Sequence, residues 1–149
     1  MKALQNRKES GFTIIEVVLV LAIAGLIFLV VFLALPQLQE SRRDTQRRSD
    51  VSRALAALET YAGSNNGDYP ADAGELAEYL PDEFEDPSGG DYTFVDATPA
   101  QEGEMRYQQG AVCDGDEAST TDADGDPAGD RDVAVEVFVE NGKFCQDNQ

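Results

Sequence analysis

The chain has 149 residues and a formal net charge of -18, and it contains no histidine and no tryptophan. Without histidine it lacks the commonest general base and metal ligand, which disfavours hydrolytic and zinc-dependent chemistry. From residue 61 onward it carries 23 acidic and three basic side chains, a balance that repels nucleic acid and anionic lipid. We therefore expect neither an enzyme nor direct binding of nucleic acid.

The N-terminal part is dominated by an apolar run from Val17 to Leu35. At about 1.5 Å per residue, a helix of this length extends for roughly 28 Å, close to the hydrocarbon thickness of a bilayer. A transmembrane anchor, a cleaved secretory signal and a specially processed segment are the three interpretations. The sequence AIA at residues 22–24 resembles a secretory cleavage site, but cleavage there would leave the apolar GLIFLVVFLAL as the new N-terminus.

Glu16 is the one charged residue in SGFTIIEVVLVLAIAGLIFLVVFLAL, residues 10–35. A bare carboxylate in hydrocarbon is costly, so Glu16 needs a cationic partner or access to the headgroups. Because it lies close to the start of the apolar run, its side chain can also reach the headgroup region by itself.

A second helical pattern follows the apolar run. Pro36 should bend or locally melt the helix, and residues 40–50 are polar on all sides, so that a helix there must be solvated or contact charged neighbours. Gly63 and the sequence SNNG predict an end near Ala62. Six apolar residues recur at helical spacing and form one stripe: Val51, Ala54, Leu55, Leu58, Tyr61 and Ala62.

The remainder of the chain predicts short strands. DYTFV (91–95) and EMRYQQGAVC (104–113) each favour strand structure. In DVAVEVFVENGKFC (132–145), alternate valines share one face while Glu136 lies on the other, and Asn141-Gly142 is expected to form the hairpin turn.

The predicted fold class is α+β. A small antiparallel sheet with one buried face needs a cover, and the apolar stripe of the helix is the candidate. We expect a long N-terminal helix from Phe12 to about Ala62 whose second half packs on this sheet. The chain then divides into residues 1–11, an apolar helix over 12–36, an amphipathic helix over 37–62 and an acidic head over 63–149.

The two cysteines, Cys113 and Cys145, both lie in the acidic part. Such a pair in an exported chain indicates a disulfide, with two free buried thiols as the alternative. A disulfide would place the C-terminal part outside the cell. Basic residues lie on both sides of the apolar run, so their count alone does not place the N-terminus inside.

The motif ESGFTIIE identifies a family. It follows a short basic leader with Lys2, Arg7 and Lys8, precedes the apolar run, and contributes five matching residues: Gly11, Phe12, Thr13, Ile15 and Glu16. In this arrangement the chain resembles the type IV pilin-like family, which comprises type IV pilins and the pseudopilins of type II secretion and competence systems. NNGDYPAD after the helix is also similar to this family, and Cys113 with Cys145 matches its disulfide-bounded C-terminal loop.

The resemblance implies processing and polymerisation. A membrane prepilin peptidase should cut between Gly11 and Phe12, discard residues 1–11 and N-methylate Phe12. Glu16 should then face the N-terminal amine of a neighbouring subunit, and such a pair in a low dielectric would fix the register between subunits. Before assembly, Glu16 is expected to reach the cytoplasmic headgroups.

The implied function is that of a structural pilin subunit in a filament used for adhesion, twitching motility or DNA uptake. The implied partners are further copies in a helical homopolymer, other pilins, the peptidase, the membrane before assembly and, indirectly, an assembly platform protein and its ATPases. The chain should cross the cytoplasmic membrane once, N-terminus inside, and become extracellular on assembly. A pseudopilin or minor pilin is the nearer alternative; an unprocessed single-span protein with an acidic, calcium-binding ectodomain is the remoter one.

Two charged stretches have open interpretations. TDADGDPAGDRD places Asp122, Asp124, Asp126 and Asp130 on one glycine-containing loop, as calcium would require, and some pseudopilins carry calcium in a comparable loop. Pro127 and Val133 occupy the positions where an EF-hand has glycine and glutamate, and a solvated acidic loop is the alternative. No other cofactor is expected.

The arginine cluster, defined as Arg42, Arg43, Arg47, Arg48 and Arg53, is the second such stretch. It could bind lipid headgroups, remain solvated, or pair with acidic heads of adjacent subunits. We favour the last, because acidic heads packed side by side repel one another.

Overall fold

The structure, a computed structural model, describes residues 11–149. These residues divide into two units, one ending at Gln39 and one spanning Glu40–Gln149, and the helix α1 (Ile14–Ser64) contributes to both. The expected leader, with Lys2, Arg7 and Lys8, lies outside the described residues apart from Gly11.

In the first unit, α1 begins at Ile14, two residues later than expected, and continues through Pro36 without interruption. The expectation of local melting is therefore wrong. Proline removes a single backbone donor, and the hydrogen bonds of the turns on either side maintain the helix. The side chains of this segment are almost all exposed, including Leu29 and Phe32.

In the second unit, α1 ends at Ser64, close to the predicted end. Gly63 stays helical, and the left-handed residues that terminate the helix are Asn66 and Gly67, with φ of 59° and 97°. The remaining elements are α2 (Ala73–Ala77), β1 (Thr93–Phe94), β2 (Glu104–Gln109), β3 (Val112–Asp114), β4 (Glu117–Ser119), β5 (Val133–Val139) and β6 (Gly142–Asp147).

A four-stranded sheet with the order β1-β2-β5-β6 forms the centre of this unit, and β3 and β4 form a separate hairpin. The β2–β5 and β5–β6 pairs are antiparallel, but β1 runs parallel to β2. The sheet is thus mixed where a purely antiparallel one was expected, because residues 95–103 return the chain to the same end of the sheet before β2 begins.

The predicted hairpin is confirmed, but its turn is shifted by one residue. Val139 pairs with Gly142, so the two turn residues are Glu140 and Asn141. Gly142, with φ of 139°, is the one residue of the turn region that has a positive φ. Asn141 therefore does not adopt the left-handed conformation that the Asn-Gly pair predicted.

The apolar stripe of α1 covers one face of the sheet, as predicted. Its fully buried residues include Val51, Ala54 and Leu58, and burying a leucine side chain such as Leu58 contributes about 2 kcal/mol relative to exposure. On the sheet side, the same hydrophobic core contains Met105, Val133, Val135, Val137 and Val139.

The opposite face of β5 is also buried, which the alternating pattern did not predict. The β3–β4 hairpin covers it, with Ala134 and Cys145 packed against Ala118. Cys113 and Cys145 form a disulfide with their Cα atoms 5.7 Å apart. Glu136 is only 1% exposed, accepts the backbone N–H of Ala118 and pairs with Arg106 at 2.8 Å.

Candidate functional site

The predicted processing site lies just before the first helical turn. Gly11 and Phe12 precede α1 outside any regular element, and Phe12 is 89% exposed. A peptidase needs an extended, accessible backbone at the bond that it cuts. The hydrogen bonds of the helix begin only with the N–H groups of Glu16 and Val17, which donate to the Thr13 carbonyl. The Gly11–Phe12 bond is thus free of helix hydrogen bonding.

Glu16 has partners within its own chain. Its Oε2 atom accepts the Thr13 backbone N–H at 2.8 Å and the Thr13 hydroxyl at 2.7 Å. The Glu16 N–H in turn lies 3.4 Å from the Thr13 hydroxyl oxygen. This reciprocal arrangement is a capping box, which satisfies donors at a helix N-terminus and places a negative charge at the positive end of the helix dipole.

Thr13 is the functional residue that sequence reasoning missed. It was recognised as part of the family motif but was given no role. The signal was present, because Thr followed three residues later by Glu, ahead of an apolar run, is the sequence signature of a capping box. Cleavage between Gly11 and Phe12 would leave both donors of Thr13 in place.

The segment of α1 that follows Glu16 is apolar on all sides. Within the described residues, α1 is the one helix long and apolar enough to cross a membrane. Its large apolar side chains have no cover within the unit that ends at Gln39, and most of those from Val17 to Leu38 are more than half exposed. A surface of this size and apolarity requires lipid or other protein chains around it.

The arginine cluster is used mainly inside the chain. Arg47 is fully buried and binds Asp86 through two hydrogen bonds, from Nε at 2.8 Å and from Nη2 at 3.1 Å. The same Nη2 atom contacts the Ser88 hydroxyl at 2.7 Å and lies 3.2 Å from a Glu102 carboxylate oxygen. We call Arg47, Asp86, Ser88 and Glu102 the arginine node.

The charges of this node support one another. Burial raises the pKa of Asp86, but the hydrogen bonds and charge of Arg47 outweigh burial and hold it below its usual value. Burial likewise opposes the charged form of Arg47, yet Asp86 and Glu102 raise the pKa of the guanidinium. The ionised node therefore fixes the loop around residue 86 to α1.

Three other arginines of the cluster have intramolecular contacts. Arg43 pairs with Glu140 at 3.0 Å, Arg53 pairs with Asp50 at 3.2 Å, and the Arg48 guanidinium lies 4.8 Å from the centre of the Phe144 ring. Pairing of the exposed arginines with adjacent heads stays a prediction, but the buried Arg47 is not available to a neighbouring subunit. The polar part of α1 contacts charged neighbours in its own head, which was one of the two options that its sequence left.

The carboxylate of Asp122 in the acidic loop is used in hydrogen bonds within the loop. Asp122 Oδ1 accepts the backbone N–H groups of Asp124 at 3.0 Å and Asp126 at 2.8 Å and thereby closes its own turn. Across residues 11–149, no three or more His, Cys, Asp or Glu side chains are placed together so as to hold a metal ion, and this includes the side chain of Asp130. Calcium binding has no support from this geometry and stays a prediction from the sequence.

Comparison with known proteins gives one match. The family model for the prokaryotic N-terminal methylation motif matches residues 6–32, which include Phe12, Thr13 and Glu16. No curated protein and no solved structure matches the chain. The motif coincides with the exposed Gly11–Phe12 bond, the capping box and the uncovered apolar helix. The chain therefore carries at its N-terminus the signature of type IV pilins and pseudopilins.

Proposed function

We propose that this chain is the structural subunit of a type IV pilus. The observation that carries the proposal is the methylation motif, which directly precedes a helix with an uncovered apolar surface. In a membrane, lipid would cover that surface in the single subunit. In a filament, the same segments of neighbouring subunits would cover one another, and packing between helices would hold the polymer together.

Processing prepares the N-terminus for this polymer. Hydrolysis of the Gly11–Phe12 bond releases the leader as a carboxylic acid and leaves Phe12 with a free amine, which methylation keeps cationic. Glu16 then exchanges partners: its carboxylate is held by Thr13 in the single subunit and pairs with the Phe12 ammonium of a neighbour in the filament. A charge pair in an apolar core is stable in one register only, because any other register leaves both charges bare.

We expect this chain to contribute no ATPase activity to its own assembly. The proposed function places it as a substrate of the prepilin peptidase and as cargo of an assembly platform driven by separate ATPases. Before assembly it spans the cytoplasmic membrane with the acidic head outside, and afterwards it is part of an extracellular filament.

The direct test is to shear cells that produce the protein and to determine the N-terminus of the released chain by mass spectrometry. Methylated Phe12 in the sheared fraction is the expected result, since it reports processing and polymerisation together. A chain that retains residues 1–11 and is confined to membranes would instead support the unprocessed single-span protein and overturn the proposal.

Glu16→Ala tests the pairing. We expect cleavage and methylation to continue and the sheared fraction to lose the subunit, because the incoming Phe12 ammonium would have no counter-charge in the apolar core. Glu59→Ala, an exposed acidic position near the end of α1, is the matched control and should assemble normally. Wild-type amounts of filament from Glu16→Ala would refute the pairing.

A pseudopilin or minor pilin is the second candidate, because the matched motif is the signature of pilins and pseudopilins alike. Quantitative proteomics separates the candidates. A major pilin should far exceed every other component of its assembly machinery, whereas a pseudopilin or minor pilin should be present at comparable levels. Adhesion, twitching motility and DNA uptake would then be distinguished by the phenotype of a deletion strain.

A further inference from the structure

A groove beside α2 is a surface feature of the head that the proposed function does not use. It has a volume of about 420 Å³ and lies between α2, the segment that follows it and β1. Three aromatic residues line it, with the Phe84 ring 5.0 Å from Tyr92 and 6.5 Å from Phe94, measured between ring centres; Phe84 and Tyr92 are buried and Phe94 is half-buried. Leu80 lines one wall and is half-buried.

Two exposed carboxylates, Asp82 and Asp91, stand at the rim of this groove. Neither makes an ion pair or a side-chain hydrogen bond among the residues that the structure describes. Aromatic faces and carboxylates both attract a guanidinium, which stacks on rings and forms paired hydrogen bonds with carboxylates. The chemistry of the groove therefore fits an arginine side chain.

The same chain contains an exposed arginine of the kind that this groove fits. Of the arginine cluster, only Arg42 lacks both an ion pair and an aromatic contact within residues 11–149, and its side chain is exposed. Its neighbour Arg43 and the buried Arg47 already form ion pairs inside the head. The acidic heads also need cations between them when they pack side by side, and Arg42 is a cation that remains available.

We propose that the groove lined by Phe84, Phe94, Asp82 and Asp91 receives Arg42 of a second copy of this chain. The contact rests on the proposed function, because it forms only when subunits pack in a filament. It would connect the head of one subunit to the polar part of α1 in the next. The contact adds a head-level point of recognition to the apolar contacts of the N-terminal segment.

The test is a charge exchange in the full-length chain, read as the amount of subunit in the sheared fraction relative to the membrane fraction. Arg42→Asp and the double variant Asp82→Arg/Asp91→Arg should each lower this ratio about tenfold, since each places like charges together. The variant that combines all three substitutions should restore it to within about twofold of wild type. Processing to Phe12 should be unchanged in all of them.

Matched controls keep the result specific. Arg131→Asp reverses another exposed arginine that has no ion pair in the described part of the chain, and Asp116→Arg reverses an exposed carboxylate on the β3–β4 turn. Both controls should assemble like wild type. Equal loss in these controls, failure of the combined variant to recover, or normal assembly of Arg42→Asp would each overturn the contact.

The outcomes also separate this inference from the proposed function. Wild-type subunit missing from the sheared fraction overturns both, because there is then no filament in which the contact could form. Wild-type filaments with unaltered assembly of the Arg42 and groove variants overturn the contact alone. If instead a basic peptide from another protein occupied the groove, the groove variants would lose assembly while Arg42→Asp assembled normally.

Discussion

The two halves of α1 have the same secondary structure and opposite surroundings. From Ile14 to Leu38 its large apolar side chains are exposed, whereas from Arg47 to Leu58 the helix buries Val51, Ala54, Leu55 and even charged residues. Helical structure alone therefore does not show which half is stable within a single subunit. The first half needs lipid or other protein chains around it, and the second half packs on its own sheet.

The second half also buries charge, which the first half, between Glu16 and Gln39, does not contain at all. Arg47 lies on the α1 face that contacts the loop around Asp86, and Asp50 accepts the Tyr92 hydroxyl at 3.0 Å. Each buried charge is matched by a partner from a distant part of the sequence. The head-bound half of α1 is thus specified by both apolar and ionic contacts.

The largest expected effect comes from breaking the arginine node. Arg47→Ala leaves the Asp86 and Glu102 carboxylates without their cation. Removal of one partner of a buried ion pair lowers the free energy of unfolding by about 4 kcal/mol. We expect the head of this variant to unfold at a much lower temperature than that of the wild type. Circular dichroism of the detergent-solubilised full chain during heating measures this temperature. The apolar half should still insert into membranes. Arg42→Ala is the control and should leave the unfolding temperature unchanged.

Loss of the disulfide should rank next. Replacing Cys113 and Cys145 together by serine removes a cross-link between residues separated by 32 positions, which costs about 3.5 kcal/mol in the chain-entropy estimate. The β3–β4 hairpin should become the first part of the head to exchange amide hydrogens. Protection of Leu19–Leu35 in detergent should not change. An unaltered unfolding temperature in the double variant would contradict this.

The same substitution on the two halves compares them most directly. Leu58→Ala deletes a fully buried side chain and should destabilise the head by about 3 kcal/mol. Leu29→Ala deletes a side chain that is 58% exposed in the single subunit and should leave head stability unchanged. In the sheared fraction the ranking should change, because Leu29→Ala removes surface that the filament would bury. Equal destabilisation of the head by both variants would refute the difference between the halves.

The parts of this molecule that were predictable from sequence are those set by local pattern. Helical spacing from Val51 to Ala62 and strand alternation from Val133 to Val139 identified two buried faces and their mutual packing. The cover on the second face of β5 was not predictable, because it depends on where a distant hairpin lies. The parallel pairing of β1 was not predictable for a different reason, since a two-residue strand carries too little pattern to fix its direction.

At the functional site the division is similar. The methylation motif is contiguous, so the sequence alone was enough to predict roles for Gly11, Phe12 and Glu16. The capping role of Thr13 was encoded locally and was overlooked. The role of Arg47 was not encoded locally at all: its partners Asp86 and Glu102 lie far along the chain, and only folding brings them together.

The smallest expected effect concerns the response of the head to acidity. Folding lowers the pKa of Asp86, because Arg47 outweighs the effect of burial, so its charge stabilises the head above the usual aspartate pKa of about 4. That contribution is lost as the pH falls through the lower folded value. Folding raises the pKa of Glu140, through burial and the neighbouring charge of Glu102. Its ionised form therefore costs stability at neutral pH, and protonation relieves that cost.

Glu140→Gln separates these two contributions. At pH 7 the variant should unfold at a slightly higher temperature than wild type, because it removes a carboxylate that folding disfavours in its charged form. As the pH falls below about 4 the wild-type glutamate becomes neutral as well, and the two unfolding temperatures should converge. Glu78→Gln, at an exposed position after α2, is the control and should show no difference at either pH. A lower unfolding temperature for Glu140→Gln at pH 7 would show that the ion pair with Arg43 outweighs the repulsion from Glu102.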